Sequence, residues 1–260
     1  MPETATAPEI VTVPCLRDNY AFLLHDPVTG ATAVVDVPEA APIEAALAER
    51  GWRLSDILIT HHHADHIDGV EALRKATGAK VWGARADAHR LPALDHAVSE
   101  GDSVTVGGLS GDVIDVSGHT VGHIALHFPQ AGAVFTADSL MALGCGRLFE
   151  GTPEQMWASL SKLAKLPPET LVCSGHEYTA SNARFALTVD PDNSALISRA
   201  AAVDAARAAN RPTVPSTLAE ELETNPFLRA ADPAIARHLG LDGRDPAAVF
   251  ARIRSLKDAF

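Results

Sequence analysis

The stretch Thr60–His66 is dense in side chains that can bind a metal. The potential ligands fall within six consecutive residues: His61, His62, His63, Asp65 and His66. Imidazole nitrogens and a carboxylate in this density suit zinc, iron or manganese, and not a metal that prefers thiolates. His61 and His63 can face one side of an extended backbone, whereas Asp65 and His66 can point to a second position. The spacing indicates two metals, and the alternative is a polar loop that is merely rich in histidine.

The neighbouring segments indicate how this loop is positioned. The apolar run 57–59 predicts a buried strand over residues 56–60, so the ligands follow a strand end. Residues 67–77 have apolar or small side chains at helical spacing, so the loop is expected to open a helix. Asp36 ends an earlier predicted strand. It either orients the backbone of the histidine loop or serves as a turn residue, and the sequence leaves both interpretations open.

Three further residues of ligand type follow other predicted strands. His119, Asp138 and His176 come after strands predicted at residues 112–116, 133–136 and 170–173. Loops at strand ends are where an α/β scaffold usually carries its chemistry. A lone histidine is usually structural, but three such residues at strand ends beside a dense histidine loop favour a metal site.

The remaining chain changes in character near residue 180. Helices are predicted at residues 194–209, with Asp192 or Asn193 as the cap, and at residues 217–223 and 246–256. We therefore predict two domains, a catalytic domain over residues 1–180 and a mostly helical substrate-binding domain over residues 181–260.

Composition excludes several classes of function. Hydrophobic residues make up 47% of the 260 residues and charged residues 21%, as in ordinary globular proteins. The net charge of −12 argues against a nucleic-acid partner, and an anionic substrate would need a local group of cations. No apolar run approaches the ~20 residues of a membrane helix, so we expect no membrane partner.

The cysteines and the first residues bear on location. Cys15, Cys145 and Cys173 form an odd set without CxxC spacing, which favours buried thiols in a reducing cytosol over a disulfide framework. The start MPETATAPEI has no basic region followed by an apolar one, so no signal peptide is predicted. We expect a cytoplasmic protein.

The spacing of the ligand-type residues resembles the metallo-β-lactamase superfamily. The pattern is His61-x-His63-x-Asp65-His66 with His119, Asp138 and His176 downstream. This resemblance implies an α/β (α+β) fold, an αββα sandwich of two mixed sheets with helices outside and a metal site at one edge. The helical C-terminal domain would be an addition to that sandwich.

More narrowly, the chain is similar to the glyoxalase II family, the hydroxyacylglutathione hydrolases. The matching motifs are PCLxDNY at 14–20, the segment 60–69, GHTxGHI at 118–124, FTxDxL at 135–140, GCGR at 144–147 with EGT at 150–152, CxGHEYT at 173–179 and RxxKDxF at 254–260. They extend from near the first residue to the last, and the GCG and C-terminal motifs favour the narrower family.

The resemblance implies two divalent metal ions, for which we expect zinc and leave iron and manganese open. One ion would be bound by His61, His63 and His119. The other would be bound by Asp65, His66 and His176. Asp138 would bridge the two ions. His62 would point away from the ions, and His123 would be structural.

The implied activity is hydrolysis of a thioester. A hydroxide that bridges the metals would attack S-D-lactoylglutathione and related S-2-hydroxyacylglutathiones, giving glutathione and D-lactate in the second step of methylglyoxal detoxification. Asp65 would aim the hydroxide, and Asp138 would be the second catalytic carboxylate. The residues implied to bind glutathione are Arg147, Tyr178, Arg254 and Lys257.

Two positions depart from the family pattern. Arg147 stands where the family often has lysine, which keeps the charge. Phe149 stands where it often has tyrosine, so one hydroxyl contact to glutathione is expected to be missing and substrate binding to be weaker. The only partner expected is the small-molecule thioester, and the chain is expected to be a monomer.

Other functions remain as alternatives. A glutathione-persulfide dioxygenase shares the histidine-rich loop and glutathione recognition but uses one iron. Another hydrolase of this fold would not explain the GCG loop or the pair Arg254 and Lys257. A binding protein that retains only the fold would hold metal without turnover.

Overall fold

The computed structural model describes residues 7–260, so the first six residues of the predicted catalytic domain lie outside the described residues. The chain forms two compact units. The first comprises the residues up to Asp115 together with Gly122–Phe135, and the second comprises Val116–Val121 and Thr136–Phe260.

The first unit combines a mixed sheet, an antiparallel sheet and three helices. Its strands are β1 (Glu9–Cys15), β2 (Asn19–His25), β3 (Ala31–Val35), β4 (Arg53–Leu58), β5 (Lys80–Ala84), β6 (His96–Val98), β7 (Ser103–Val106), β8 (Leu109–Asp115), β9 (Ile124–Phe128) and the first residues of β10 (Ala133–Ala137). Its helices are α1 (Ala40–Arg50), α2 (Ala64–Ile67) and α3 (Val70–Thr77).

The mixed sheet brings two polar segments together. Its order is β1-β2-β3-β4-β5-β6, antiparallel up to β3 and parallel from β3 onwards. Val35 pairs with Leu58 in the parallel register, so β3 and β4 end side by side. The residues directly after them, Asp36 and the segment 59–60, are therefore neighbours although they are distant in sequence. Strands β7 to β10 pair antiparallel in chain order.

Apolar side chains on one face of the mixed sheet form the core beneath the histidine loop. Leu23, Val34 and Ile57 are fully inaccessible to solvent, and Ile43 of α1 and Leu73 of α3 pack in the same cluster. Burying each such side chain stabilises the fold by roughly 1.5–3 kcal/mol. The loop is thus attached to a rigid base.

The helix after the histidine loop is interrupted. The sequence predicts one helix over residues 67–77, but α2 and α3 are separate. The His66 carbonyl accepts from Val37 N at 2.8 Å, and Gly69 N donates to Val37 O at 2.9 Å. These bonds use backbone groups that a continuous helix would need, because the segment that follows β3 competes for them.

The second unit is mostly helical. Its strands are the end of β10, β11 (Leu140–Met141), β12 (Gly144–Cys145), β13 (Leu171–Ser174) and β14 (Ser216–Thr217). Its helices are α4 (Pro153–Leu163), α5 (Thr179–Val189), α6 (Ser194–Ala208), α7 (Leu218–Thr224), α8 (Pro233–His238) and α9 (Pro246–Ala259). The predicted boundary between residues 180 and 181 falls just after the start of α5.

Caps and aromatic packing define these helices. Asn193 caps α6 as one of the two predicted candidates, since its side chain accepts from Leu196 N. Phe185, Phe227 and Phe250 are buried, with neighbouring ring centroids 6.2 and 5.6 Å apart. Across residues 7–260, the length and apolar character needed to cross a membrane do not occur together in any helix.

Candidate metal centre and substrate loop

A buried carboxylate organises the histidine loop of the first unit. Asp36 is 2% exposed, and its Oδ1 accepts from Thr60 N at 2.9 Å. Its Oδ2 lies 2.8 Å from both Thr60 Oγ1 and His66 Nδ1. Of the two interpretations left open by the sequence, Asp36 therefore acts as the residue that orients the loop. It directs His66 so that Nε2 is the nitrogen available to a metal.

Two histidine nitrogens of the first unit face each other. His61 Nε2 lies 3.2 Å from His63 Nδ1, while His61 Nδ1 lies 3.0 Å from Thr60 Oγ1. A metal ion shared by two imidazoles requires such convergence of lone pairs. One Asp36 oxygen also lies within 4.8 Å of ligand nitrogens of His61 and His66. Because both Asp36 oxygens hold the loop, we interpret this carboxylate as a support and not as a ligand.

Asp65 is oriented by a residue whose role the sequence analysis missed. Asn19 is buried at the start of β2, and its Nδ2 lies 3.0 Å from both Asp65 Oδ2 and Asp65 O. Asn19 belongs to the PCLxDNY motif, but nothing in that pattern links it to a loop 46 residues away. The signal available was the position of a polar residue at the start of an apolar strand.

His62 and His123, both expected to lie outside the ligand set, contact other side chains of the first unit. His62 Nδ1 lies 3.1 Å from Oδ2 of the buried Asp87, whose Oδ1 accepts from Arg90 Nη2 at 2.6 Å. His123 stacks on the ring of His61 at 4.5 Å with an interplanar angle of 10°. Asp87 was not recognised from the sequence.

The three predicted ligands of the second unit converge on one carboxylate. Asp138 Oδ2 lies 3.5 Å from His119 Nε2, and Asp138 Oδ1 lies 3.3 Å from His176 Nε2. All three side chains are buried. Each oxygen of the carboxylate thus faces a different imidazole, which is the arrangement that a bridging carboxylate needs.

The tautomer of His119 is set by the chain itself. His119 Nδ1 lies 2.7 Å from the Arg147 carbonyl oxygen, so the proton belongs on Nδ1 and Nε2 keeps its lone pair. The same principle applies to His66 with Asp36 in the first unit. Imidazoles held in this way, together with carboxylate oxygens, suit a divalent metal ion. The residues present in each unit therefore fit the metal that the sequence predicts.

The predicted substrate cations Arg147 and Arg254 share a carboxylate. Arg254 is 6% exposed, and its Nη1 donates to Cys145 O at 2.9 Å. Its Nη2 lies 2.9 Å from Asp258 Oδ1, which also lies 3.5 Å from Nε of the exposed Arg147. Within residues 7–260, the buried Arg254 Nε has no hydrogen-bond partner.

Lys257 lies among aromatic rings. Its Nζ is 5.2 Å from the ring centroids of both Phe185 and Phe260. Desolvation, followed by the charges of Arg254 and Arg184, lowers the pKa of Lys257 to about 8. Lys257 is thus a cation near neutral pH that loses its charge in mildly alkaline solution.

Two aromatic side chains lie against the histidines of the second unit. The Tyr178 ring stacks on His176 with centroids 4.6 Å apart and an interplanar angle of 5°. Phe149 is 61% exposed and meets the His119 ring edge-on at 5.3 Å. Phe149 therefore offers an apolar surface where a tyrosine would also offer a hydroxyl.

The cysteines are free and buried, as expected. Desolvation raises the pKa of Cys15 and of Cys145 to about 11, and it raises the pKa of Cys173 further. All three thiols therefore remain protonated at neutral pH and serve as small apolar side chains.

Known proteins match nearly the whole chain. The metallo-β-lactamase superfamily model matches residues 19–176, and the model for the hydroxyacylglutathione hydrolase C-terminus matches residues 177–260. A hydroxyacylglutathione hydrolase from Jannaschia sp. (strain CCS1) is 72% identical, over 97% of this chain and 99% of that protein.

Solved structures agree in fold. The crystal structure of ETHE1 from Myxococcus xanthus has a TM-score of 0.66 and 26% identity, covering 96% of this chain and 90% of that one. TTHA1623 in a di-iron-bound form has a TM-score of 0.60 and 25% identity, covering 85% of this chain and all of that one. The chain belongs to the hydroxyacylglutathione hydrolase (glyoxalase II) family of the metallo-β-lactamase superfamily.

Proposed function

We propose that the chain hydrolyses the thioester of S-D-lactoylglutathione and related S-2-hydroxyacylglutathiones, giving glutathione and D-lactate. The observation that carries this proposal is the match to the Jannaschia hydroxyacylglutathione hydrolase at 72% identity over 97% of the chain. The GCG loop and the C-terminal cations support it over a persulfide dioxygenase. In a cell, this reaction would complete the detoxification of methylglyoxal.

The proposed cofactor is a pair of divalent ions, with zinc as the expected metal. The proposed ligands are those assigned from the family: His61, His63 and His119 for one ion, Asp65, His66 and His176 for the other, and Asp138 for both. A divalent ion supplies a nucleophile at neutral pH, because it lowers the pKa of water from about 15.7 to about 7.

The carboxylates of the chain then handle protons and orientation. Asn19 holds Asp65 Oδ2 at 3.0 Å, so this carboxylate is fixed in one orientation and can accept a hydrogen bond from the attacking hydroxide and aim it. Asp138 keeps one oxygen towards each of two imidazoles. The leaving group needs little help, because a thiol with a pKa of about 8.5 leaves as a thiolate.

Residues 181–260 are proposed as the substrate-binding domain, together with the GCG loop. Glutathione is an anion and the chain carries a net charge of −12, so binding needs placed cations. Arg147, Arg254 and Lys257 are proposed to contact its carboxylates, and Tyr178 to donate its hydroxyl. Charge-assisted hydrogen bonds of this kind contribute roughly 1.5–3 kcal/mol each.

The test is an assay with S-D-lactoylglutathione, accompanied by elemental analysis of the purified protein. We expect release of free glutathione and two metal ions per chain, zinc first among them. Oxygen uptake with glutathione persulfide and no thioester cleavage would instead identify a dioxygenase. Bound metal without turnover of either substrate would identify the chain as a metal-binding protein that has no enzymatic activity. Size-exclusion chromatography would test the proposed monomer, and cell fractionation the proposed cytoplasmic location.

A further inference from the structure

Residues 141–147, which contain the GCG motif and are called the substrate loop from here on, are held by buried side chains from three helices of the second unit. Its backbone bonds are Asn225 Nδ2 to Met141 O and Gly144 O, both 3.0 Å; Asn182 Nδ2 to Ala142 O, 3.0 Å; Leu143 N to Glu221 Oε2, 2.8 Å; and Arg254 Nη1 to Cys145 O, 2.9 Å. Every residue from Met141 to Cys145 therefore has one backbone group bonded to a helix side chain.

The other end of this loop contacts the predicted metal ligands. Arg147 O accepts from His119 Nδ1 at 2.7 Å, and Gly146 N donates to Ser139 O at 3.3 Å. A Cβ added at Gly146 would lie 1.9 Å from Asp138 O and 2.8 Å from His119 Nδ1. The loop is thus packed directly against Asp138 and His119, and a shift of its backbone would be passed to both.

Two side chains of the segment at α7, Glu221 and Asn225, carry most of this support. Glu221 is fully inaccessible, yet it is a carboxylate, which is costly to bury unless it is paired. It is paired with Arg199, with Ser216 Oγ at 2.6 Å and with Asn225 Nδ2 at 3.0 Å. A buried polar network that is this well satisfied fixes a single local geometry.

The backbone of the loop needs such support. Leu143 has φ +56°, a left-handed conformation that a residue with a branched side chain rarely adopts. The carboxylate of Glu221 accepts a hydrogen bond from the backbone N–H of Leu143. The conformation that directs the rest of the loop towards His119 is thus coupled to the α7 carboxylate.

We propose that Glu221 and Asn225 are positioning residues for the metal and substrate chemistry. They hold residues 141–147 so that the Arg147 carbonyl orients His119 and the Arg147 side chain stays beside Asp258. The effect on substrate rests on the proposed function, whereas the effect on loop order and on His119 does not.

The test uses Asn225→Asp, which keeps the acceptor that bonds Phe227 N at 3.0 Å but loses the amide donor to Met141 O, Gly144 O and Glu221 Oε2. We expect amide hydrogen exchange of residues 141–147 to become at least about tenfold faster, because these bonds no longer close the loop. Zinc retention against a chelator should weaken roughly tenfold, since a support of a ligand histidine is disturbed. KM for S-D-lactoylglutathione should rise.

A milder variant guards against misfolding. Asn182→Ala removes only the bond to Ala142 O and should shift loop exchange and zinc retention in the same direction by a smaller factor. The matched control is Asp26→Ala, which removes three hydrogen bonds of a buried turn carboxylate within the first unit, from Val28 N, Thr29 Oγ1 and Gly108 N. It should lower Tm while loop exchange and zinc retention stay at wild-type values.

The proposal fails if folded Asn225→Asp and Asn182→Ala both keep wild-type loop exchange and zinc retention. It also fails if Asp26→Ala reproduces their changes, because the effect would then follow general destabilisation. Should the wild-type chain cleave no glutathione thioester, the proposed function fails, while exchange and zinc retention still decide this inference.

Discussion

The predicted ligands of the two units are supplied in different ways. In the first unit, four of them come from one segment of six residues, which follows a single strand. In the second unit, three of them come from three separate strand ends. The chain itself keeps the members of a contiguous set close together, whereas the members of a dispersed set need the surrounding tertiary structure before any two of them can meet.

The two sets of ligands also differ in the residues that hold them in place. Asp36 holds both ends of the histidine loop through Thr60 and His66. The second unit relies on a backbone carbonyl, Arg147 O, and on helix side chains that act through the substrate loop. Side chains from neighbouring strands, Asp36 and Asn19, therefore support the first set of ligands, whereas side chains from distant helices support the second.

The largest expected effect is in the dispersed set. Asp138→Ala removes the carboxylate that faces both His119 and His176, so we expect metal content to fall towards one ion per chain. The loss of several kcal/mol of transition-state stabilisation should lower kcat roughly a thousandfold. Elemental analysis and steady-state kinetics on the same sample measure both. Normal activity with one ion would rule out the binuclear mechanism.

A smaller effect is expected in the contiguous set. Asp36→Asn leaves the ligands in place but weakens the orientation of His66, because an amide nitrogen cannot accept from Nδ1. We expect metal affinity or activity to fall about 10–100-fold, measured by chelator competition. If the loss equals that of Asp138→Ala, the contiguous set depends on its tertiary support as strongly as the dispersed set does, and the contrast between the two sets disappears.

The proposed substrate-binding cations of the second unit should give a pH dependence. The pKa of Lys257 is lowered to about 8, so its charge is present below that pH and is lost above it. We expect KM for the anionic thioester to rise up to roughly tenfold between pH 7 and 9. Lys257→Arg should flatten this profile, since guanidinium stays charged. An unchanged profile in that variant would assign the dependence to another group.

The smallest effect concerns Phe149, which lies edge-on to His119. Phe149→Tyr adds the hydroxyl that the family often has, so KM should fall about three- to tenfold with kcat unchanged, as one added hydrogen bond would give. Steady-state kinetics would measure this change in KM. Phe128→Tyr would not serve as a control, because the Phe128 ring lies in the core and is fully buried. A KM that stays the same or rises would show that Phe149 does not limit binding.

Much of the fold could be predicted from the sequence. Strands β10 and β13 match the segments predicted at residues 133–136 and 170–173 to within a residue, because apolar residues between turn signals are a local pattern. Helix α5 was not predicted, since residues 179–189 begin directly after a ligand motif and lack a capping side chain. The helix predicted over residues 67–77 is divided into α2 and α3, because the segment after β3 competes for its backbone groups.

The sequence by itself determined which residues have the chemistry of metal ligands and to which family the chain belongs, because side-chain type and spacing can be read directly from the sequence. Tertiary structure alone decided what holds them. The parallel register of β3 and β4 brings Asp36 to Thr60, and helices far along the chain bring Glu221 and Asn225 to the substrate loop. Such partners are set by packing between distant segments, for which a single sequence contains no local signal.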